Sequence, residues 1–283
     1  MATALVLGSG AALPAKGRFN TTLAILEGAR TVLVDCASPA SELLYHHGVD
    51  YTSVDTVVIT HMHADHVTGI GQLAHMKHHF VDAVHPRAFF DRQDPFFKDN
   101  LRFPPRDKWT DVNSWLTIYV PEGVEDSIRQ YMKALYMRPE VFTKFEVRVL
   151  PYGGGEVHRD ELFKITAYPN VHIRHYYPEL RNTDAMLSSN TILVEVGGRT
   201  CLYSSDVAGL KEIEGIVRKV DTVFVEGAHP TPREILQFAQ RLDLKRVFVL
   251  HIHAPHEEEF ARLKDELARA NVTLTYDGFE VDL

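Results

Sequence analysis

The chain has 283 residues, 45% of them hydrophobic, which suffices for one large core or two small ones. Its 30 basic and 38 acidic side chains leave a formal charge of −8, which argues against bulk nucleic-acid binding. No stretch approaches the roughly twenty apolar residues of a membrane span; Cys36 and Cys201 are not spaced as a metal pair, and two cysteines in apolar runs do not read as a disulfide framework.

Both cysteines are expected as buried free thiols in a reducing cytosol, and the protein is expected to be cytoplasmic. Residues 2–15 are largely apolar, but no Lys or Arg precedes them and Gly8 and Gly10 interrupt them. They do not read as a secretory signal.

Residues 2–7 predict a strand that ends in Gly8-Ser9-Gly10. No third glycine follows at the required place and no helix opens there, so this is not a dinucleotide fingerprint. Residues 21–27 and 31–35 predict a hairpin around Gly28-Ala29-Arg30. Asp35 closes its strand and reads either as a group that orients a ligand histidine or as a turn aspartate. Ser38-Pro39 predicts a helix with Pro at its first position, running to about His47.

Residues 54–60 are apolar and β-branched, hence a buried strand. The strand runs into Thr-His-Met-His-Ala-Asp-His at 60–66. His61, His63, Asp65 and His66 thus crowd the turn leaving a strand, where α/β proteins build sites. Without a metal, such a cluster would leave buried polar groups poorly satisfied. The count of 16 histidines agrees with a metal enzyme. Residues 64–78 predict a helix.

Between about 76 and 115 the chain carries Phe80, Phe89, Phe90, Phe96, Phe97, Phe103, Trp109 and Trp115, broken by Pro86, Pro95, Pro104 and Pro105. This segment reads as an aromatic cap over the site, or as a satellite core or homodimer contact. Residues 116–120 predict a strand, 124–136 an amphipathic helix with Ile128, Met132, Leu135 and Tyr136 on one face, and 145–150 a strand. Gly153-Gly154-Gly155 is expected as a loop, and 163–168 as a strand leading to His172. Residues 191–196 and 200–204 predict a hairpin about Gly197-Gly198 that delivers Asp206. Further on, strands at 222–225, 246–250 and 272–276 alternate with helices at 210–217, 232–242 and 256–270.

Three more strand ends therefore present candidate ligands: His172, Asp206 and His251. His172 is preferred to His175, and His251 to His253 and His256, because each lies nearest its strand. His46, His47, His78, His79, His85 and His158 are expected on the surface. No linker, composition break or repeat divides the chain, so 1–283 is expected as one domain with the aromatic insertion.

The stretches LGSGAALPAKGRFNTT (7–22), VDCA (34–37), ITHMHADH (59–66), AYPNVH (167–172), YSSD (203–206), VEGAHPT (225–231) and VLHIHAP (249–255) span nearly the whole chain. Together they resemble the metallo-β-lactamase superfamily, in particular its branch of ribonuclease Z and related phosphodiesterases. The resemblance implies an α/β four-layer αββα sandwich with the site at one edge between the sheets. It implies that His61, His63 and His172 hold one divalent metal, that Asp65, His66 and His251 hold another, and that Asp206 bridges them. An all-nitrogen-and-oxygen donor set suits Zn²⁺ best, with Mn²⁺ or Fe as alternatives.

The resemblance further implies a metal-bridging hydroxide as nucleophile, Asp65 in the catalytic set, and Glu226 with His229 as a proton-donating pair. The competing reading of His229 is a cap on the helix that starts near Pro232. The basic, Gly-rich arm with which that branch grips tRNA has no counterpart in this sequence, so tRNA is doubtful as a substrate. The expectation is a phosphodiesterase for a small or nucleotide-like substrate. The alternative is a hydrolase of carboxylic ester, lactone, lactam or thioester bonds on the same metals.

Overall fold

The computed structural model describes residues 1–81, 114–137, 144–180 and 187–283. The expected aromatic cap falls mostly on 82–113 and lies outside the described residues, as does His85. Two seven-stranded sheets form the centre. The first runs in the order β14 (Phe279–Asp282), β1 (Thr3–Gly8), β2 (Thr22–Glu27), β3 (Arg30–Val34), β4 (Val54–Val58), β5 (Trp115–Pro121) and β6 (Glu146–Tyr152). The second runs β13 (Val272–Leu274), β12 (Val247–Ile252), β11 (Thr222–Gly227), β10 (Arg199–Tyr203), β9 (Ser189–Val196), β8 (Phe163–Asn170) and β7 (Gly155–Arg159).

Alternation along the strands decides the layers. Ala4 and Val6 of β1, Val32 and Val34 of β3, and Phe248 and Leu250 of β12 fill the core between the sheets. Their neighbours Leu5, Leu7 and Leu33 face outward onto α1 (Ala40–His46), α3 (Ile70–Val81) and α4 (Glu125–Ala134). On the other side Val247 and Val249 pack under α7 (Pro232–Leu242), α8 (Glu257–Arg262) and α9 (Lys264–Arg269). The result is the expected αββα sandwich. No described helix is long and apolar enough to cross a membrane.

Several local expectations need correction. The helix expected at 64–78 is two, α2 (Ala64–Val67) and α3, broken at Thr68-Gly69. The break is a docking point: Gly69 N donates to Cys36 O at 2.8 Å, and a Cβ at 69 would lie 2.4 Å from Ala37 O. The helix expected at 256–270 is likewise α8 and α9, parted at Leu263. Leu135 and Tyr136 fall beyond the end of α4, where Tyr136 takes a left-handed φ of 62° and stands exposed. Pro39 sits at the N-cap of α1 rather than at its first turn.

Gly153 and Gly154 form the expected loop and Gly155 opens β7, a polar edge strand, while β14 pairs with β1. His78 is buried rather than superficial. The Gly197-Gly198 hairpin forms with both glycines at positive φ. Both cysteines are buried free thiols, and burial pushes Cys201 up to about 12.

Candidate metal centre

Strand direction assembles the site. β3 and β4 are parallel in the first sheet, and β10, β11 and β12 in the second. β8 and β10 both run antiparallel to β9, so β8 points the same way as β10. The C-terminal ends of β4, β8, β10 and β12 therefore deliver His61–His66, His172, Asp206 and His251 to one edge. His251 is turned inward by a bulge, since β12 shifts register against β11 there and His251 takes a φ of 53°. Asp35 and Ser205 share this left-handed backbone at 60° and 53°. Three strained non-glycine residues at one edge are characteristic of a functional site.

The structure brings His61, His63, His172 and Asp206 into one group, and Asp65, His66 and His251 into a second. Asp206 faces both. Its Oδ2 lies 3.8 Å from His61 Nε2 and 3.6 Å from His172 Nε2. Its Oδ1 lies 3.4 Å from His66 Nε2 and 3.3 Å from His251 Nε2. Asp65 Oδ2 stands 3.7 Å from His66 Nε2 and 3.9 Å from His251 Nε2.

These spacings are long for hydrogen bonds but close to those of donors sharing an ion: two ligands on a tetrahedral zinc at about 2.0–2.1 Å sit about 3.3–3.4 Å apart. The buried Nε2 atoms of His61 and His66, both ring nitrogens of His172 and Oδ1 of Asp206 have no hydrogen-bond partner among the described residues. Such a convergence of unpaired buried nitrogens on a carboxylate fits divalent metal.

Surrounding groups set the tautomers. Thr21 Oγ1 donates to Gly10 O at 2.8 Å, so at 2.7 Å it accepts the Nδ1 proton of His251. Asp35 Oδ2 accepts from His66 Nδ1 at 2.7 Å and from Tyr203 at 3.1 Å. It also accepts from Thr60 Oγ1 at 3.0 Å, which leaves the Thr60 oxygen to accept from His61 Nδ1 and Ser205. Each of these histidines thus carries its outer proton on Nδ1 and turns Nε2 to Asp206. Asp35 orients a histidine, which resolves its two readings.

The electrostatics agree. Burial pushes His61 well below the ordinary imidazole value and His172 down to about 3, leaving both neutral. Burial disfavours charge on Asp206, yet His251 and His66 hold its carboxyl well below the usual range. Burial also opposes a charged His66, but Asp206 and Asp35 raise it to about 10. It answers two buried carboxylates, a role that a cation at the cluster would take over.

Beside the cluster, Glu226 is fully buried and accepts the Nδ1 proton of His229 at 2.9 Å, together with the amides of Val207, Ala228 and His229. His229 Nδ1 lies 3.9 Å from Asp206 Oδ2. Burial lowers the pKa of His229, but the bond to Glu226 and its charge carry it above the ordinary value. The cap on α7 is Thr231, which forms a capping box with Glu234, so His229 does not serve as the cap.

His175 is exposed and outside the cluster, and His253 and His256 lie outside it as well. Sequence reading missed Thr21, Thr60, Ser205, Tyr203, Asn170 and Glu212. Asn170 Nδ2 donates to Asp206 O, and Glu212 accepts from Val171 N and Ala208 N, tying the His172 loop to the Asp206 loop. Only Thr60 and Ser205, adjacent to ligand candidates, carried a local signal.

Residues 2–94 match the family model for anti-Pycsar protein Apyc1. An anti-Pycsar protein Apyc1 of Bacillus phage 010DV004 is 25% identical over 273 residues, covering 91% of each chain. A ribonuclease Z of Bacillus licheniformis is 22% identical over 316 residues, covering 93% of this chain and 92% of its own. Among solved structures, the metallo-β-lactamase fold protein YhfI of Bacillus subtilis aligns with a TM-score of 0.67 at 17% identity over 99% of this chain and 98% of that one. Human tRNase Z, short form, aligns at 0.66 and 17% over 100% and 98%. Zn²⁺-bound PqqB from Methylobacterium extorquens aligns at 0.66 and 13% over 99% and 100%. The sandwich, with its cluster of histidines and aspartates at one edge, is the metallo-β-lactamase fold, on a chain similar in sequence to ribonuclease Z and Apyc1 proteins.

Proposed function

We propose that the protein is a dinuclear metal-dependent phosphodiesterase that acts on a small cyclic or nucleotide-like phosphodiester. His61, His63 and His172 would hold one divalent ion and Asp65, His66 and His251 the other, with Asp206 between them. Zn²⁺ suits these donors best, with Mn²⁺ or Fe as alternatives. When bound, such ions supply an activated water near neutral pH and neutralise charge on a phosphoryl oxygen.

The chain's own residues do the rest. Thr60, Asp35 and Thr21 pin the Nδ1 side of His61, His66 and His251, so the ligand set keeps its orientation through the reaction. Glu226 fixes the Nδ1 proton of His229, so a second proton on Nε2 makes His229 a donor to the leaving oxygen. This pair carries the reading, because an alkoxide departing from phosphorus needs a proton. The similarity to ribonuclease Z proteins agrees with phosphodiester chemistry, and the similarity to Apyc1 proteins favours a cyclic nucleotide. The charge of −8 favours a small diester over tRNA.

Metal-loaded protein is to be assayed on 3′,5′-cyclic nucleotides, bis-p-nitrophenyl phosphate, p-nitrophenyl esters, lactones and precursor tRNA. Turnover of the two small phosphodiesters is expected. Turnover of esters and lactones alone, or of tRNA alone, would overturn the reading. His229→Ala should keep its metals and lose roughly 10²–10⁴-fold on the cyclic nucleotide. It should lose far less on bis-p-nitrophenyl phosphate, whose nitrophenolate departs without a proton. An equal loss on both substrates removes the donor role.

A further inference from the structure

The short helix α5 (His172–Tyr176) buries His172 and Ile173 toward the cluster and leaves Tyr176 and the following Tyr177 at 43% and 38% exposure. Exposed apolar side chains are ordinary when scattered. These two differ in what their rings meet. The Tyr176 ring lies 4.8 Å from the His229 ring and 5.2 Å from that of His172. The Tyr177 ring lies 5.8 Å from that of His63. One tyrosine therefore flanks the proton donor and the other flanks the first histidine group. Among the described residues, these are the exposed aromatic side chains in ring contact with the cluster.

We infer that Tyr176 is the floor of a nucleobase subsite, on which the base of a nucleotide substrate stacks while its phosphodiester lies at the metal ligands. The inference rests on the phosphodiesterase reading and extends it to the part of the substrate away from phosphorus. If His229 protonates the leaving oxygen, the body attached to that oxygen lies close to His229, and the exposed ring of Tyr176, 4.8 Å from the His229 ring, is a surface within its reach. In a cyclic nucleotide this body is the nucleoside, which carries a flat π-face. The partly solvated ring of Tyr176 offers a matching face, with its hydroxyl at the wet end. Every base has a π-face, so the subsite should accept purines and pyrimidines alike.

The full chain, metal-loaded, is to be compared as wild type, Tyr176→Ala and Tyr176→Phe on a 3′,5′-cyclic nucleotide and on the cyclic phosphodiester of the same ribose lacking a base. Binding of a nucleoside 5′-monophosphate is measured by calorimetry alongside. Tyr176→Ala is expected to raise KM for the cyclic nucleotide roughly 5- to 100-fold, and to weaken monophosphate binding by a similar factor. Its effect on kcat and on the base-free diester should be much smaller, with metal content unchanged. Tyr176→Phe, which keeps the ring, should restore most of the loss. Equal losses with and without the base, or a Tyr176→Phe variant as impaired as Tyr176→Ala, overturn the subsite and leave the phosphodiesterase reading standing. A wild type that hydrolyses neither diester removes that reading and the subsite with it.

Discussion

Asp206 is the residue on which both histidine groups converge, one carboxylate oxygen facing each. Asp206→Ala should leave at most one equivalent of metal, because two cations would then face each other without a shared anion. Elemental analysis that returned two full equivalents would refute the bridging role. Asp35 is fully buried and acts through His66, accepting its Nδ1 proton together with the hydroxyls of Thr60 and Tyr203. Asp35→Asn keeps the shape but loses the charge and an acceptor, and should weaken metal affinity about 10–100-fold. A competition titration with a chromogenic chelator measures this, and wild-type affinity in the variant would count against the orienting role.

Among elements, the α2–α3 break decides where Asp65 and His66 stand. Gly69 lets the chain press its backbone onto the Cys36–Ala37 turn, next to Asp35. A methyl group at 69 would meet backbone atoms, not a flexible side-chain tip, so neither side can yield cheaply. Gly69→Ala should cost about 1–3 kcal/mol in stability, by the usual scale of overpacking. It should also loosen metal binding, because α2 carries two of the candidate ligands. Urea denaturation of the metal-free protein separates the two effects, and an unchanged midpoint there would show that the contact relaxes without strain.

At the scale of the molecule, one charged network ties the two sheets. Arg30 of β3 pairs with Asp55 of β4 at 2.6 Å and reaches across to Asp160 at 2.7 Å, which also meets His158 of β7 at 2.8 Å. Burial alone would raise the pKa of Asp160, but the amides of Phe163 and Leu162, with His158 and Arg30, hold it below the usual carboxylate range. A depressed folded-state pKa means stability that is present above the unfolded value of about 4 and lost as pH falls below it. Asp160→Asn should therefore lose less stability than wild type between pH 6 and pH 3, measured as the difference in denaturation midpoint. Arg30→Ala removes the guanidinium that Asp55 and Asp160 share and should cost about 1.5–3 kcal/mol at neutral pH. A cost near zero would show that water replaces the pair.

The sequence by itself determined what local pattern can carry. Apolar and β-branched runs between turn residues located most strands, the Gly197-Gly198 pair fixed a hairpin, and the crowding of His61, His63, Asp65 and His66 after one such run marked the site edge. It also singled out His172, Asp206 and His251 by their places at strand ends, residues that the fold then brings beside that cluster. Behind them, Asp35 was legible as one of two readings, whereas tertiary structure alone decided Thr21 and Tyr203. Thr21 sits 230 positions from the His251 it orients, and Tyr203 lies 168 from Asp35. Their local surroundings are those of any strand residue. The same holds for β14, whose pairing with β1 closes a sheet with the two ends of the chain, and for Gly69, whose need for a bare backbone comes from a turn thirty-odd residues earlier. Strand and helix periodicity is written in neighbouring side chains. Hydrogen-bond partners and close backbone approaches depend on which strands lie side by side, and that follows only once both sheets have packed on a common core.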